Sequence, residues 1–275
     1  MTHHDLTRLL DWFTTFCASY TCSAEDDDLR NYLLKQEHTH RVREEAVAIA
    51  AEQGCGDTDL LLAECIGLLH DVGRFPQYRK FGTFRDADSV NHAAQSVRVI
   101  LEEQILATLE QEERRLIIKS VALHNVYLIP RQLNRRELFF LRLIRDADKL
   151  DIWRVFLEYY ALPEDERASA VGLGFPDYPT CSPKILTAIT RGEMINLVDV
   201  KTLNDFKLLQ LSWIFDLNFG PTRRLFRERG YLKAFAATLP KEAAVRSALA
   251  ILESYLERTV DAESSITSGE TAWIR

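Results

Sequence analysis

The doublet His70-Asp71 closes the apolar run Leu68-Leu69, and Gly73 and Arg74 follow shortly after it. An imidazole beside a carboxylate can bind a metal ion or move a proton, but two adjacent letters also arise by chance and need partners. The other histidines are His3, His4, His38, His40, His92 and His124. Beyond the terminal pair they fall one to each predicted element, except that His38 and His40 share one, as a site gathered from several helices requires. A polar side chain turned toward a core is costly unless it is partnered, so the apolar stripe of each helix is the test. Steps of three or four residues align Asp148 with Leu141, Ile144, Ile152 and Val155, and His70 with Leu62, Ala63, Ile66 and Gly67. His124 aligns with Ile117 and Val121, and His38 with Leu34 and Val42; His92 has a mixed face, with Gln95 and Ser96 before Val99 and Ile100. Each of these alone reads as a hydrogen-bonded residue. Together, metal coordination is one explanation for His38, His70, His92, His124 and Asp148. His40 points about 200° around the helix from His38 and is read as a bystander; His3 and His4 are expected to be disordered.

The elements that must carry these groups read as helices throughout, with no convincing strand and no repeat. Residues 5–20 form an amphipathic first helix. Ser23 and Asp26 resemble a capping box for a second helix that runs to about residue 53, where Gly54 and Gly56 stop it. Asp57 or Thr58 caps the third, which reaches the His-Asp doublet and ends at Gly73 and Pro76. A loop rich in Arg, Lys and aromatics follows over 74–86, then helices over about 89–109 and 111–124. Asn134 caps a long helix to about residue 161, stopped by Pro163. Four prolines and two glycines mark 163–183 as a loop that could serve as a lid, and helical patterns resume at about 184–191, 201–217, 221–237 and 240–260. In these Phe206, Leu209, Trp213, Leu217 and Leu225 lie on apolar faces.

The chain has 275 residues, 47% hydrophobic and 27% charged, enough for one sizeable core with an elaboration. Its net charge of −7, from 41 acids against 34 Lys and Arg, argues against a nucleic-acid partner but leaves room for a small phosphorylated substrate met by a local cationic cluster. Five cysteines without a Cys-x-x-Cys pair fit neither a disulfide framework nor a zinc ribbon and are read as reduced. With no membrane-length apolar run and no basic-then-apolar start, the expected location is the cytoplasm.

The series His38, His70-Asp71, His92, His124, Asp148 resembles the HD-domain superfamily of metal-dependent phosphohydrolases. The matching contexts are His38-Thr39-His40-Arg41-Val42, Leu69-His70-Asp71-Val72-Gly73-Arg74-Phe75 and Asp146-Ala147-Asp148-Lys149-Leu150-Asp151, within a resemblance covering about residues 30–160. It implies an all-α fold, an HD-domain helical bundle with additional C-terminal helices. The expected organisation is an HD domain with its N-terminal helix over 1–162, the loop 163–183, a C-terminal helical extension over 184–260 packed on the same body, and a flexible tail over 261–275. It also implies that His38, His70, Asp71 and Asp148 bind one ion. Histidines standing where His92 and His124 stand are similar to those of the two-metal branch, which implies a second ion with Asp71 bridging. The stretch Gly82-Thr83-Phe84-Arg85-Asp86 is similar to a subgroup in which an aspartate precedes the third histidine; Asn91 stands in that place here.

Mixed imidazole and carboxylate ligation suits two divalent ions of Fe, Mn, Co, Ni or Zn and not Mg alone. Two such ions about 3.5–4 Å apart activate a hydroxide between them for attack at phosphorus. Asp71, Arg74 and Lys149 are the catalytic candidates, and Arg74, Lys149, Asn125 and Arg85 the substrate-binding ones, with Arg79 and Lys80 in the same loop. The expected function is hydrolysis of a phosphomonoester or nucleotide phosphate. The alternatives are a non-catalytic nucleotide-binding HD signalling module and a di-iron oxygenase on the same scaffold. The expected partner is a small phosphorylated molecule, with no membrane; oligomeric state is left open, a homodimer included.

Overall fold

The computed structural model describes residues 1–266, helical in every regular element and without a strand among the described residues. Helix α1, His3–Thr21, opens with a reciprocal cap: the Thr2 hydroxyl accepts from the Asp5 amide while Asp5 accepts from the Thr2 amide. His3 and His4 therefore stand in a capped first turn, contrary to the expectation of disorder. Helix α2, Asp26–Glu52, starts from Glu25 and not from a box at Ser23; Asp26, Asp27 and Asp28 supply negative charge at the positive end of the helix dipole. Gly54, at φ 75°, ends it.

Helix α3, Asp57–Leu69, has Gly56 at its N-cap, and His70 closes its last turn. It lies against α2 so closely that a Cβ on Gly67 would come within 2.7 Å of the Arg43 Cα. That contact brings the end of α3 beside the middle of α2. The doublet does not lead into a loop: α4, Arg74–Phe81, follows at once. Pro76 is its third residue, where the missing N–H would lack a helical partner in any case. The left-handed residue after α4 is Gly82, at φ 64°.

Gly73 itself is in the ordinary right-handed region, at φ −65° and ψ −18°. Its lack of a side chain is required by α5, His92–Glu102: a Cβ there would stand 2.5 Å from the His92 carbonyl oxygen and 2.7 Å from the Gln95 carbonyl carbon. The Gly73 amide also donates to Ser96 Oγ at 2.9 Å. Helix α5 is shorter than the expected 89–109, because the chain leaves it through turns that include Gln104 at φ 50°. Helix α6, Gln111–Leu123, has His124 at its C-cap. Helix α7, Arg135–Ala161, begins with the Asn134–Glu137 capping box and stops at Leu162, held extended by Pro163. It packs along α2, with Trp153, Leu141, Ile144 and Leu150 in the core.

The chain divides into two compact units, Met1–Leu173 and Gly174–Arg275, a boundary inside the stretch expected to be one loop. Its first half folds back on the first unit. Ala168 and Val171 pack with Val155, Leu34, Phe156 and Tyr159, while Ser169 donates to Asp27 at 2.7 Å. The second unit holds α8 (Pro183–Thr190), α9 (Leu203–Ser212), α10 (Gly220–Glu228), α11 (Tyr231–Ala237) and α12 (Ala243–Ile266). Gly230, at φ 66°, splits the helix expected over 221–237, and Trp213 begins a short 3-10 turn after α9. Phe206, Leu209 and Leu217 are buried as expected, whereas Phe226 takes the core position beside half-buried Leu225. The tail expected over 261–275 continues α12 to Ile266, and its remainder lies outside the described residues. No helix among the described residues is long and apolar enough to cross a membrane.

Replacing Gly73 by Ala should force α5 and its first residue, His92, away from the doublet. Overpacking of this kind costs about 1–3 kcal/mol, to be read as a lowered urea midpoint; wild-type stability in Gly73→Ala would refute the close approach.

Candidate metal centre

Four helix-borne imidazoles converge on Asp71. His38 comes from α2, His70 and His124 from the ends of α3 and α6, and His92 from the start of α5, while Asp148 lies in α7. Asp71 Oδ2 is 3.6 Å from His38 Nε2 and 3.9 Å from His70 Nε2; Oδ1 is 3.6 Å from His92 Nε2 and 3.9 Å from His124 Nε2. Asp148 Oδ1 joins the first pair, 3.1 Å from His38 Nε2 and 3.6 Å from His70 Nε2. His38, His70 and Asp71 form one group with the spacing a metal ion requires, and Asp71, His92 and His124 form another. Asp71 is common to both.

The outer ring nitrogens are all engaged. His38 Nδ1 meets Asp151 Oδ2 at 2.6 Å and His92 Nδ1 meets Asp86 Oδ2 at 2.7 Å. His70 Nδ1 meets the Gly67 carbonyl and His124 Nδ1 the Val121 carbonyl, each at 2.8 Å. Carboxylates and carbonyls only accept, so each Nδ1 carries the proton and each Nε2 presents a lone pair inward. Lone pairs therefore face lone pairs: His92 Nε2 lies 3.1 Å from His124 Nε2. The buried atoms His38 Nε2, His70 Nε2 and Asp71 Oδ1 have no hydrogen-bond partner among the described residues. Such a donor set repels itself until a cation enters, and the buried His and Asp groups are compatible with divalent metal binding.

Charge states agree with this. Burial, reinforced by the neighbouring His92 and His70, pushes His124 down to about 3, and burial with Arg74 lowers His92. Both rings thus stay neutral. Burial and Lys35 oppose charge on His38, yet Asp148 and Asp151 raise its pKa, so a proton competes with a cation there. Burial also works against ionisation of Asp71, but Lys35 and Arg74 hold it well below the usual carboxylate range.

The remaining sequence candidates are distributed around this centre. Arg74 Nε is 3.4 Å from Asp71 Oδ1, while Nη1 donates to Gln77, to the Phe84 carbonyl and to Asp86 Oδ1. Lys149, the residue after Asp148 in α7, is buried. Asn125 Nδ2 lies 3.5 Å from Asp86 Oδ2 and 3.4 Å from His92 Nδ1, behind the ring and not at its metal-facing nitrogen. Arg85 is half-buried and pairs with Asp88 at 3.3 Å. Arg79 covers the Tyr20 ring at 3.7 Å and Lys80 lies by Phe81 at 5.1 Å. His40 packs edge-on to Phe13, outside the cluster.

Three participants carry no sequence assignment. Lys35 reaches Asp71 Oδ2 at 2.8 Å from one turn before His38, on the same face of α2. Asp151, one turn past Asp148, orients His38 and is itself held by Arg41 and Arg154. Asp86 supports His92 from six residues upstream, whereas Asn91, in the position where an aspartate was expected, caps α5 by accepting from the Ala94 amide. Ser96, which made the face of His92 look mixed, is buried against Gly73.

Among protein-family models, the HD domain matches residues 36–153. This segment is an HD domain. No curated protein and no solved structure gives a match. The HD domain spans every candidate ligand from His38 to Asp148 and includes Asp86 and Asp151, but it begins one residue after Lys35. An HD domain holding this buried His/Asp cluster points to metal-dependent, hydrolase-type chemistry.

Loss of an outer-ring carboxylate should weaken metal binding by about 10–100-fold. Asp86→Ala is expected to do so in a Mn²⁺ or Co²⁺ titration while far-UV circular dichroism stays unchanged; undiminished affinity would show that Asp86 does not set the His92 ring.

Proposed function

We propose that this protein is a phosphohydrolase that uses two divalent transition-metal ions to cleave a phosphomonoester or a nucleotide phosphate. The observation that carries the reading is the division of Asp71: one carboxylate oxygen faces His38 and His70, the other His92 and His124. A carboxylate shared in this way suits two ions, one on each side, with Asp148 completing the first. Fe, Mn, Co, Ni and Zn match the imidazole-rich donor set. When bound, such ions lower the pKa of a coordinated water toward neutrality and offset charge on phosphoryl oxygens.

The protein's own groups prepare the rest. Asp151, Asp86 and the Gly67 and Val121 carbonyls hold each imidazole in one tautomer, so the inward lone pairs need no reorganisation when charge develops. Arg74 brings positive charge beside Asp71, and the burial of both strengthens that interaction, while Lys149, which follows Asp148 in α7, is the second cation this reading assigns to the substrate.

Elemental analysis of the purified protein should find transition metal, and a panel of aryl phosphates and nucleotides with Mn²⁺, Co²⁺, Ni²⁺ or Mg²⁺ should reveal turnover. Asp71→Ala should lose the metal and slow turnover by at least about a hundredfold. An unchanged rate in that variant refutes the assignment. Metal and nucleotide binding without turnover would instead identify a signalling module, and oxygen uptake with an iron spectrum a di-iron oxygenase.

A further inference from the structure

The centre has a second deficit beside its surplus of lone pairs, and it lies in donors. Lys35 Nζ bonds Asp71 Oδ2 at 2.8 Å, its one hydrogen bond among the described residues, and two ammonium hydrogens are left without an acceptor. Arg74 Nε is buried with no hydrogen-bond partner among the described residues, 3.4 Å from the other oxygen of the same carboxylate. One aromatic ring steadies both cations: Lys35 Nζ is 5.2 Å and the Arg74 guanidinium carbon 5.9 Å from the centre of Phe84, which is itself buried. Two donors short of acceptors thus flank the group on which the imidazole lone pairs converge.

A lysine with a side chain only 14% exposed is expensive to keep. As a mere counter-ion to Asp71 it would return little, because a buried ion pair often contributes no more than an apolar pair of the same volume. An ammonium is also a poor companion for a metal site, since it repels a dication drawn to the same oxygen. Its position is better explained by an anion that arrives later. A cation on the lone pairs and an oxyanion on the free N–H groups satisfy both deficits together.

We propose that Lys35 is the phosphate-binding residue of this centre, taking phosphoryl oxygens of the substrate alongside Arg74; this rests on the phosphohydrolase reading for the identity of the anion. Lys35 stands on α2 one turn before His38, so the helix that presents the imidazole also presents the ammonium. Arg74 is committed through Nη1 to Asp86 and the Phe84 carbonyl, so Lys35 is the more adaptable of the two: its four-carbon stem can follow the anion while Arg74 stays fixed.

The test compares Lys35→Met and Lys35→Arg with the wild-type protein, all loaded with Mn²⁺. Metal content is read by elemental analysis, inorganic phosphate binding by calorimetry, and kcat and KM on an aryl phosphate. Lys35→Met should keep its metal, bind phosphate at least about tenfold more weakly and raise KM, and Lys35→Arg should recover most of the binding. Wild-type phosphate affinity in Lys35→Met overturns the proposal. So does loss of metal in step with phosphate in both variants, which would make Lys35 a support for Asp71. A wild-type protein that binds phosphate through Lys35 yet hydrolyses no phosphoester defeats the hydrolase reading and leaves the anion site standing; one that binds no phosphate defeats the anion site alone.

Discussion

Each imidazole at the centre has spent its proton on an outward partner, and the first unit of the fold is arranged so that this can happen four times around one carboxylate. The inward nitrogens and the Asp71 oxygens are then all acceptors, held 3–4 Å apart by helices that cannot easily relax. In water such groups would turn away from each other or pick up protons. Here burial opposes protonation of His92 and His124, and the close packing of α2 on α3 at Gly67 and of α5 on the doublet at Gly73 prevents the turn. The repulsion is retained by packing, and it is compatible with a divalent cation, which would relieve it.

The helical character of the chain, the long capped α7 and the candidate ligands were legible in the sequence because they rest on local signals. Apolar periodicity located His38, His70, His124 and Asp148, and Asn134 was legible as a helix cap, which the structure completes with Glu137, whereas the box read at Ser23 and Asp26 does not form. The doublet's continuation was misread because Gly73 and Pro76 look like terminators; Pro76 is harmless in a first turn, and Gly73 is small to admit a neighbouring helix and not to turn the chain. Asp86 and Lys35 were illegible for a different reason. Their partners are chosen by a tertiary approach, six and thirty-six residues away in sequence, and no spacing rule within one helix points from either to its partner.

The HD-domain match covers the ligands and the carboxylates behind them but ends at residue 153, within α7. The turn after that helix nonetheless belongs to the same unit, with Ala168 and Val171 against Leu34 and Ser169 bound to Asp27 at the start of α2. The base of the helix that carries both Lys35 and His38 is therefore buttressed by residues outside the family's own boundaries. The second unit, from Gly174, contributes helices with their own caps, such as the Thr202–Asp205 box that starts α9.

The outward partners of the four imidazoles differ in how far the chain must travel to supply them. His70 and His124 each bond a carbonyl three residues back, within their own last turn, and Asp86 is six residues from His92. Only His38 depends on a group 113 residues away, on α7. Two rings, His70 and His124, are thus aimed within their own last turns, while His92 needs the preceding turn that carries Asp86 and His38 needs a helix from the far end of the domain. Because His38 alone takes its outward partner from α7, and Asp148 lies on the same helix, partial opening of α7 from α2 would disarm His38 and Asp148 together while leaving the partners of His92 and His124 in place.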